Sequence, residues 1–242
     1  MKLKCLGSGS SGNCYILEND KEALVIEAGL PFMDVKKALD FNVRKIIGVI
    51  CTHRHKDHSK FLKDFVVAGI RSIAPSDYWI ENFLEWWFQY GEHYDETRKC
   101  IEIGNFKVIP FQLVHDVPCY GFYIQHPEMG TLIYASDTEY IRYRFKDVNH
   151  ILVECNYDKN FIQDDAVNRT HVLEGHMELQ TTKEFVRVNN NPDLRNVVLL
   201  HLSANNSNEE DFKRKIEEVV EQSTNVYVAK KGLKVDLRLV PF

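Results

Sequence analysis

No run of apolar residues in this 242-residue chain reaches the length of a membrane-spanning helix, and no basic region followed by an apolar segment opens it. No membrane association is expected, and the expected location is the cytoplasm. The six cysteines, Cys5, Cys14, Cys51, Cys100, Cys119 and Cys155, include no Cys-x-x-Cys pair. Most lie in apolar runs, so buried free thiols in a reducing compartment are expected. Positive charge is also short: 30 Lys and Arg stand against 35 Asp and Glu, a net charge of −5. That excludes a global attraction to nucleic acid, and any anionic substrate must be attracted locally. No internal repeat, low-complexity tract or composition shift marks a boundary, so residues 1–242 are expected to form a single domain.

What the chain does have is histidine in a dense local pattern. Thr52-His53-Arg54-His55-Lys56-Asp57-His58 follows the apolar run Lys45-Ile46-Ile47-Gly48-Val49-Ile50-Cys51, which reads as a buried strand. The polar groups then lie in the loop at that strand's C-terminal end. His53 and His55 share one side of an extended backbone, while Asp57 and His58 come round from the next turn. One loop can thereby serve two cations, His53 and His55 on the first, Asp57 and His58 on the second. Imidazole with carboxylate suits zinc, iron, nickel or manganese better than calcium or magnesium.

Along the rest of the chain, strands are expected at 1–6, 14–17, 23–26, 70–74, 120–125, 131–135, 151–153, 226–228 and 233–239, with two more in 101–113 broken at Gly104-Asn105. Helices are expected from Pro31 to about Asp40, over 61–67, over 77–90 with Ser76 as N-cap, over 178–189 and over 208–221. The last carries a Ser207/Glu210 capping box. The 77–90 helix holds Trp79, Trp86 and Trp87 and is apolar on almost every face. Core packing or a homodimer interface through segment 78–90 is expected there. The polar stretch 91–100 reads as a loop with His93 exposed.

Five apolar strands run into a metal-competent or acid–base side chain: His53, His115, Asp137, Glu154 and His201. In layered α/β folds, ligands gather where strands end, and all five beside the histidine loop argue for one shared site. His115 would complete the first cation's ligands and His201 the second's, with Asp137 between them.

This order of motifs resembles the metallo-β-lactamase superfamily. The resemblance runs from Gly7 to about Ser203 and implies a four-layer αββα sandwich with two mixed β-sheets. Gly7-Ser8-Gly9-Ser10-Ser11-Gly12-Asn13-Cys14, Val153-Glu154-Cys155-Asn156-Tyr157-Asp158 and Gly175-His176-Met177-Glu178-Leu179 are similar to a nuclease and phosphodiesterase branch. That branch holds ribonuclease Z, phosphonate-breakdown phosphodiesterases and a bacterial exonuclease-like subfamily. The His201-Leu202-Ser203 ending is most similar to the last of these. The resemblance implies Asp57, His176 and Glu154 as the catalytic set, with His176 beside the leaving group and oriented by Glu154, and Ser203 at the substrate. Glu27 departs from the family, which usually has aspartate in its Asp-Ala-Gly turn.

Two divalent cations, zinc foremost and manganese or iron next, would bring four positive charges against two from Asp57 and Asp137, enough to attract a phosphate. They would acidify a water to serve as nucleophile, and His176 would protonate the departing oxygen. Arg142, Arg144 and Lys146, with Arg54, Lys56 and Lys60, are placed to form a basic rim. The expectation is a metal-dependent phosphodiesterase cleaving DNA or RNA. An acyl hydrolase of the thioesterase or lactonase kind is the first alternative. An iron dioxygenase and a metal-stabilised binding module stand behind it.

Overall fold

The computed structural model describes residues 1–79, 92–94, 100–162 and 175–240. Its first sheet takes in β1 (Lys2–Gly7), β2 (Cys14–Glu18), β3 (Ala23–Ile26), β4 (Ile46–Ile50), β5 (Ser72–Pro75) and β6 (Glu92–Tyr94). The second is built from β7 (Ile101–Ile103), β8 (Phe106–Gln112), β9 (Tyr120–His126), β10 (Gly130–Ala135), β11 (His150–Glu154), β12 (Asn196–Leu200) and β13 (Asn225–Val228). Then β14 (Lys234–Asp236) crosses back to pair with β1. The strand orders are β14-β1-β2-β3-β4-β5-β6 and β13-β12-β11-β10-β9-β8-β7.

Both sheets are mixed in the same way. From β14 to β3 the first pairs antiparallel, and from β3 to β6 parallel. From β7 to β10 the second pairs antiparallel, and from β10 to β13 parallel. The inner strands β2, β3, β11 and β12 are buried at every position. This explains why they read as unbroken apolar runs rather than alternating ones: each is covered on both faces.

Three apolar layers result. Leu3, Tyr15, Leu17, Ile26 and Ile50 from the first sheet meet Phe106, Phe122, Tyr134, Leu152 and Leu200 from the second in a central core. Outside the first sheet, Phe32 and Val35 of α1 (Phe32–Ala38) and, beyond the short α2 (Lys56–Ser59), Leu62 and Phe65 of α3 (Leu62–Val67) cover Ile16, Val25 and Val49. Outside the second, Phe185 and Val186 of α4 (Leu179–Asn189) and Phe212 and Ile216 of α5 (Glu209–Glu217) cover Ile133, Val153 and Leu199. This is the expected αββα sandwich.

Local departures have local causes. Residues 92–94 form an edge strand parallel to β5 rather than a loop, because backbone pairing needs no apolar side chains. Residue 76 is already helical, so Ser76 does not cap the helix that begins there. Of the 78–90 segment, Tyr78 and Trp79 are buried in the outer core against the first sheet. Residues 80–90, on which the dimer expectation rests, lie outside the described residues. At α5 the cap is Asn208, whose side chain accepts the Asp211 N–H, while the Ser207 hydroxyl donates to Ser203 O. Five cysteines are buried and Cys100 is exposed.

Candidate metal centre

Both sheets send the ends of their strands to one place. After β4, residues 52–55 turn off the first sheet, and the single turn of α2 presents Asp57 and His58 beside His53. From the second sheet, β8 leads to His115, β10 to Asp137, β11 to Glu154 and β12 to His201. Glu27, Asp137 and His201 hold φ values of 67°, 54° and 53°. Non-glycine residues are uncommon in that left-handed region, and the strain there is held by the surrounding packing. At Gly29 the opposite holds: an added Cβ would stand 1.7 Å from Asp57 O. Only glycine lets the 27–29 turn press against the histidine loop.

Two ligand clusters result. In the first, single ring nitrogens of His53, His55 and His115 converge, with His55 Nδ1 3.3 Å from His115 Nε2. Asp116, exposed at the rim, lies 3.0 Å from His115 Nε2 and 3.5 Å from His55 Nε2. In the second, Asp57, His58, Asp137 and His201 converge. Asp57 Oδ2 is 3.4 Å from His58 Nε2 and 3.7 Å from His201 Nε2. Asp137 stands between the two, its Oδ2 2.9 Å from His58 Nε2 and 3.7 Å from His53 Nε2.

Glu154 ties this second cluster to His176. Its Oε1 lies 2.7 Å from His176 Nδ1 and 3.2 Å from His201 Nδ1, and its Oε2 accepts N–H groups of Thr138 and Met177. A buried carboxylate with four such neighbours fixes the ring it faces. Asn156 adds to this by donating to His201 O at 2.7 Å.

The charges shift accordingly. Burial opposes a proton on His201, yet Asp137, Asp57 and Glu154 outweigh it and lift His201 to about 10. Burial likewise opposes one on His58, and Asp137 with Glu27 drives it well up. His53, buried among other imidazoles, is pushed well down, and burial lowers His115. Asp57 and Asp137 sit far below the usual carboxylate range because neighbouring histidines overcome the cost of burial. Glu154 is lowered and His176 raised, each by the other against the pull of burial.

This donor set fits divalent cations. Ring nitrogens His53 Nε2, His115 Nδ1 and His201 Nε2 are buried without a hydrogen-bond partner, and a buried polar atom left so is costly. Glu27, Asp57, Asp137 and Glu154 meet only histidines as ion-pair partners among the described residues. Four carboxylates, where the sequence reading counts two, thus bring negative charge in and around the clusters. His53, His55 and His115 would hold one ion, Asp57, His58 and His201 the other, with Asp137 between.

The structure brings together all seven expected ligands and the Glu154–His176 pair. Ser203 is half-buried, and its hydroxyl accepts Asn206 N–H at 3.3 Å, which closes its own turn. Arg54 is paired with Asp77 at 3.1 Å, while Lys56, Arg142, Arg144 and Lys146 are exposed. The sequence alone gives Asp116 no role, holds Asn156 only as part of the Val153–Asp158 motif, and shows Glu27 only as a departure. Asp116 directly follows a strand-end histidine, and that adjacency was the one available signal.

The family model of the Metallo-beta-lactamase superfamily matches residues 7–142. Exodeoxyribonuclease YycJ of Bacillus anthracis is 24% identical over 239 residues, covering 90% of this chain and 88% of the relative. Among solved structures, the metallo-beta-lactamase fold protein YhfI from Bacillus subtilis superposes with a TM-score of 0.74 at 19% identity, covering 97% of this chain and 98% of that one. The short form of human tRNase Z does so with 0.68 at 14% identity, covering 99% and 100%. With the family model spanning more than half of it, the chain belongs to the metallo-beta-lactamase superfamily.

Proposed function

We propose that the protein is a metal-dependent nuclease, a phosphodiesterase whose polymer substrate is DNA or RNA, with DNA foremost. The observation that carries this reading is His176. Its Nδ1 is held 2.7 Å from the Glu154 carboxylate, and its ring centroid lies 5.2 Å from that of His201. Glu154 raises the pKa of His176 against the pull of burial, which favours the protonated ring with Nδ1–H on Glu154. A phosphodiester needs that: its leaving oxygen departs as an alkoxide unless a proton reaches it. Two divalent ions would supply an acidified water and charge to stabilise the phosphoryl oxygens. The exodeoxyribonuclease YycJ, similar over nine-tenths of this chain, favours DNA as the polymer. Exposed Lys56, Arg142, Arg144 and Lys146 supply local positive charge that the −5 net charge does not.

The test is cleavage of end-labelled single- and double-stranded DNA and RNA with zinc or manganese, beside an Asp57→Ala control. His176→Ala is expected to lower kcat on polymer by about 10²–10⁴-fold. A substrate with a good leaving group, such as a p-nitrophenyl phosphodiester, should lose far less. A metal-loaded protein that cuts no strand, or a His176→Ala variant that cuts at the full rate, would refute the proposal and turn attention to thioesters and lactones.

A further inference from the structure

Glu27 opens the turn after β3, fully buried and in the left-handed backbone region. Among the described residues its carboxylate meets no lysine or arginine. Oε1 accepts the Thr52 hydroxyl at 2.7 Å and the Tyr134 hydroxyl at 3.2 Å, and Oε2 accepts the Thr52 N–H at 3.2 Å. His58 Nδ1 lies 3.2 Å from Oε1, an electrostatic contact too bent for a full hydrogen bond. Thr52 Oγ1 is also 2.8 Å from His53 Nδ1.

Proton counting turns these contacts into an assignment. Thr52 has one hydroxyl hydrogen, and the carboxylate takes it. Only lone pairs of Oγ1 then face His53, so His53 carries its hydrogen on Nδ1 and keeps the Nε2 lone pair free. At His58 the negative oxygen beside Nδ1 favours the hydrogen there. The Asn13 amide Nδ2, 2.9 Å from Nε2, is a donor that uses the Nε2 lone pair, the same pair a cation would take. His53 belongs to the first cluster and His58 to the second. We propose that Glu27 is a positioning residue shared by both metal subsites, acting on His58 directly and on His53 through Thr52. The inference rests on the reading of two metal subsites. Tyr134 arrives from the opposite sheet and pins the carboxylate from the far side, so the device spans the sandwich. The usual aspartate, shorter by one methylene, would have less reach for the same set of contacts.

The experiment titrates zinc and cobalt(II) into the full metal-free chain and into Glu27→Gln, Thr52→Val and the double variant, against a chromophoric chelator. The cobalt spectrum reports ligand geometry, and thermal unfolding checks the fold. Wild type is expected to take two ions. Thr52→Val should loosen one site by about 10–100-fold and spare the other, and Glu27→Gln should loosen both. The double variant should bind no worse at the first site than Glu27→Gln alone, since both changes cut one path. Loosening of only one site by Glu27→Gln, or additive losses in the double variant, overturns the proposal. Thr52→Val keeps shape and charge, so unchanged binding of both ions there overturns it even if Glu27→Gln fails to fold. A wild type that takes a single ion overturns the two-subsite reading, and the inference with it.

Discussion

The two ligand clusters, separated by one carboxylate, are different kinds of pocket. The first is three imidazoles, His53 and His115 with buried side chains and His55 32% exposed beside the rim residue Asp116. In the second, His58 is 0% and His201 5% exposed, and Asp57 and Asp137 bring negative charge to it. Those carboxylates make a cation there worth more, because the alternative is buried charge answered only by imidazolium. The same features make that cation compete with protons, since His58 and His201 hold theirs tightly while His53 and His115 do not. One site would thus take its ion on imidazoles already neutral, and the other would trade its ion against protons.

Asp137→Ala strikes at the residue standing between the pockets and should have the largest effect. Cleavage is expected to fall by about 10³-fold or more, from several kcal/mol of lost charge stabilisation, with both ions weakened in an elemental analysis after dialysis. Retention of two tight ions would mean that the clusters do not share Asp137.

Proton release sharpens the contrast. Calorimetry of zinc binding in buffers of different ionisation enthalpy should show protons leaving as the second pocket fills. Its affinity should climb with pH up to about 10, the range over which His201 stays protonated without metal. Filling the first pocket should release none from His53 or His115 at neutral pH, as both are already neutral. Equal release at the two steps would erase the distinction.

A smaller effect is expected in the stability of the metal-free protein. The folded-state pKa of His201 is raised from 6.5 to about 10, so its contribution is fully present below pH 6.5 and is lost as pH rises towards 10. Urea unfolding of the metal-free chain should therefore lose a few kcal/mol across that window, and loaded protein should not. A flat profile without metal would show that the carboxylates around His201 do not bind its proton.

Sequence reading reached the pockets better than their surroundings, for a physical reason. His53, His55, Asp57 and His58 are close in sequence and were legible by spacing. His115, Asp137, Glu154 and His201 were legible because apolar strands lead into each of them. Pairing Glu154 with His176 needed the family resemblance, since no spacing rule connects a strand end to a loop histidine. Glu27 was visible only as an unexpected residue. Its role depends on Thr52, His58 and Tyr134 arriving from a loop, a helix and a strand of the other sheet, and single-chain patterns do not encode such tertiary contacts. Edge strand β6 and the Asn208 cap were hidden because both depend on backbone partners rather than on apolar periodicity.

The pockets are sewn from both sheets, and that sets a timetable. A growing chain shows its histidine loop early, once β4 and α2 can form, but His201 follows β12, after most of the polypeptide has been made. Until the second sheet has closed on the first, the loop holds half a centre, with neither His201 nor His176 in place. Under the proposed activity, a half-made or truncated copy cannot cut nucleic acid, and competence arrives only with a finished sandwich.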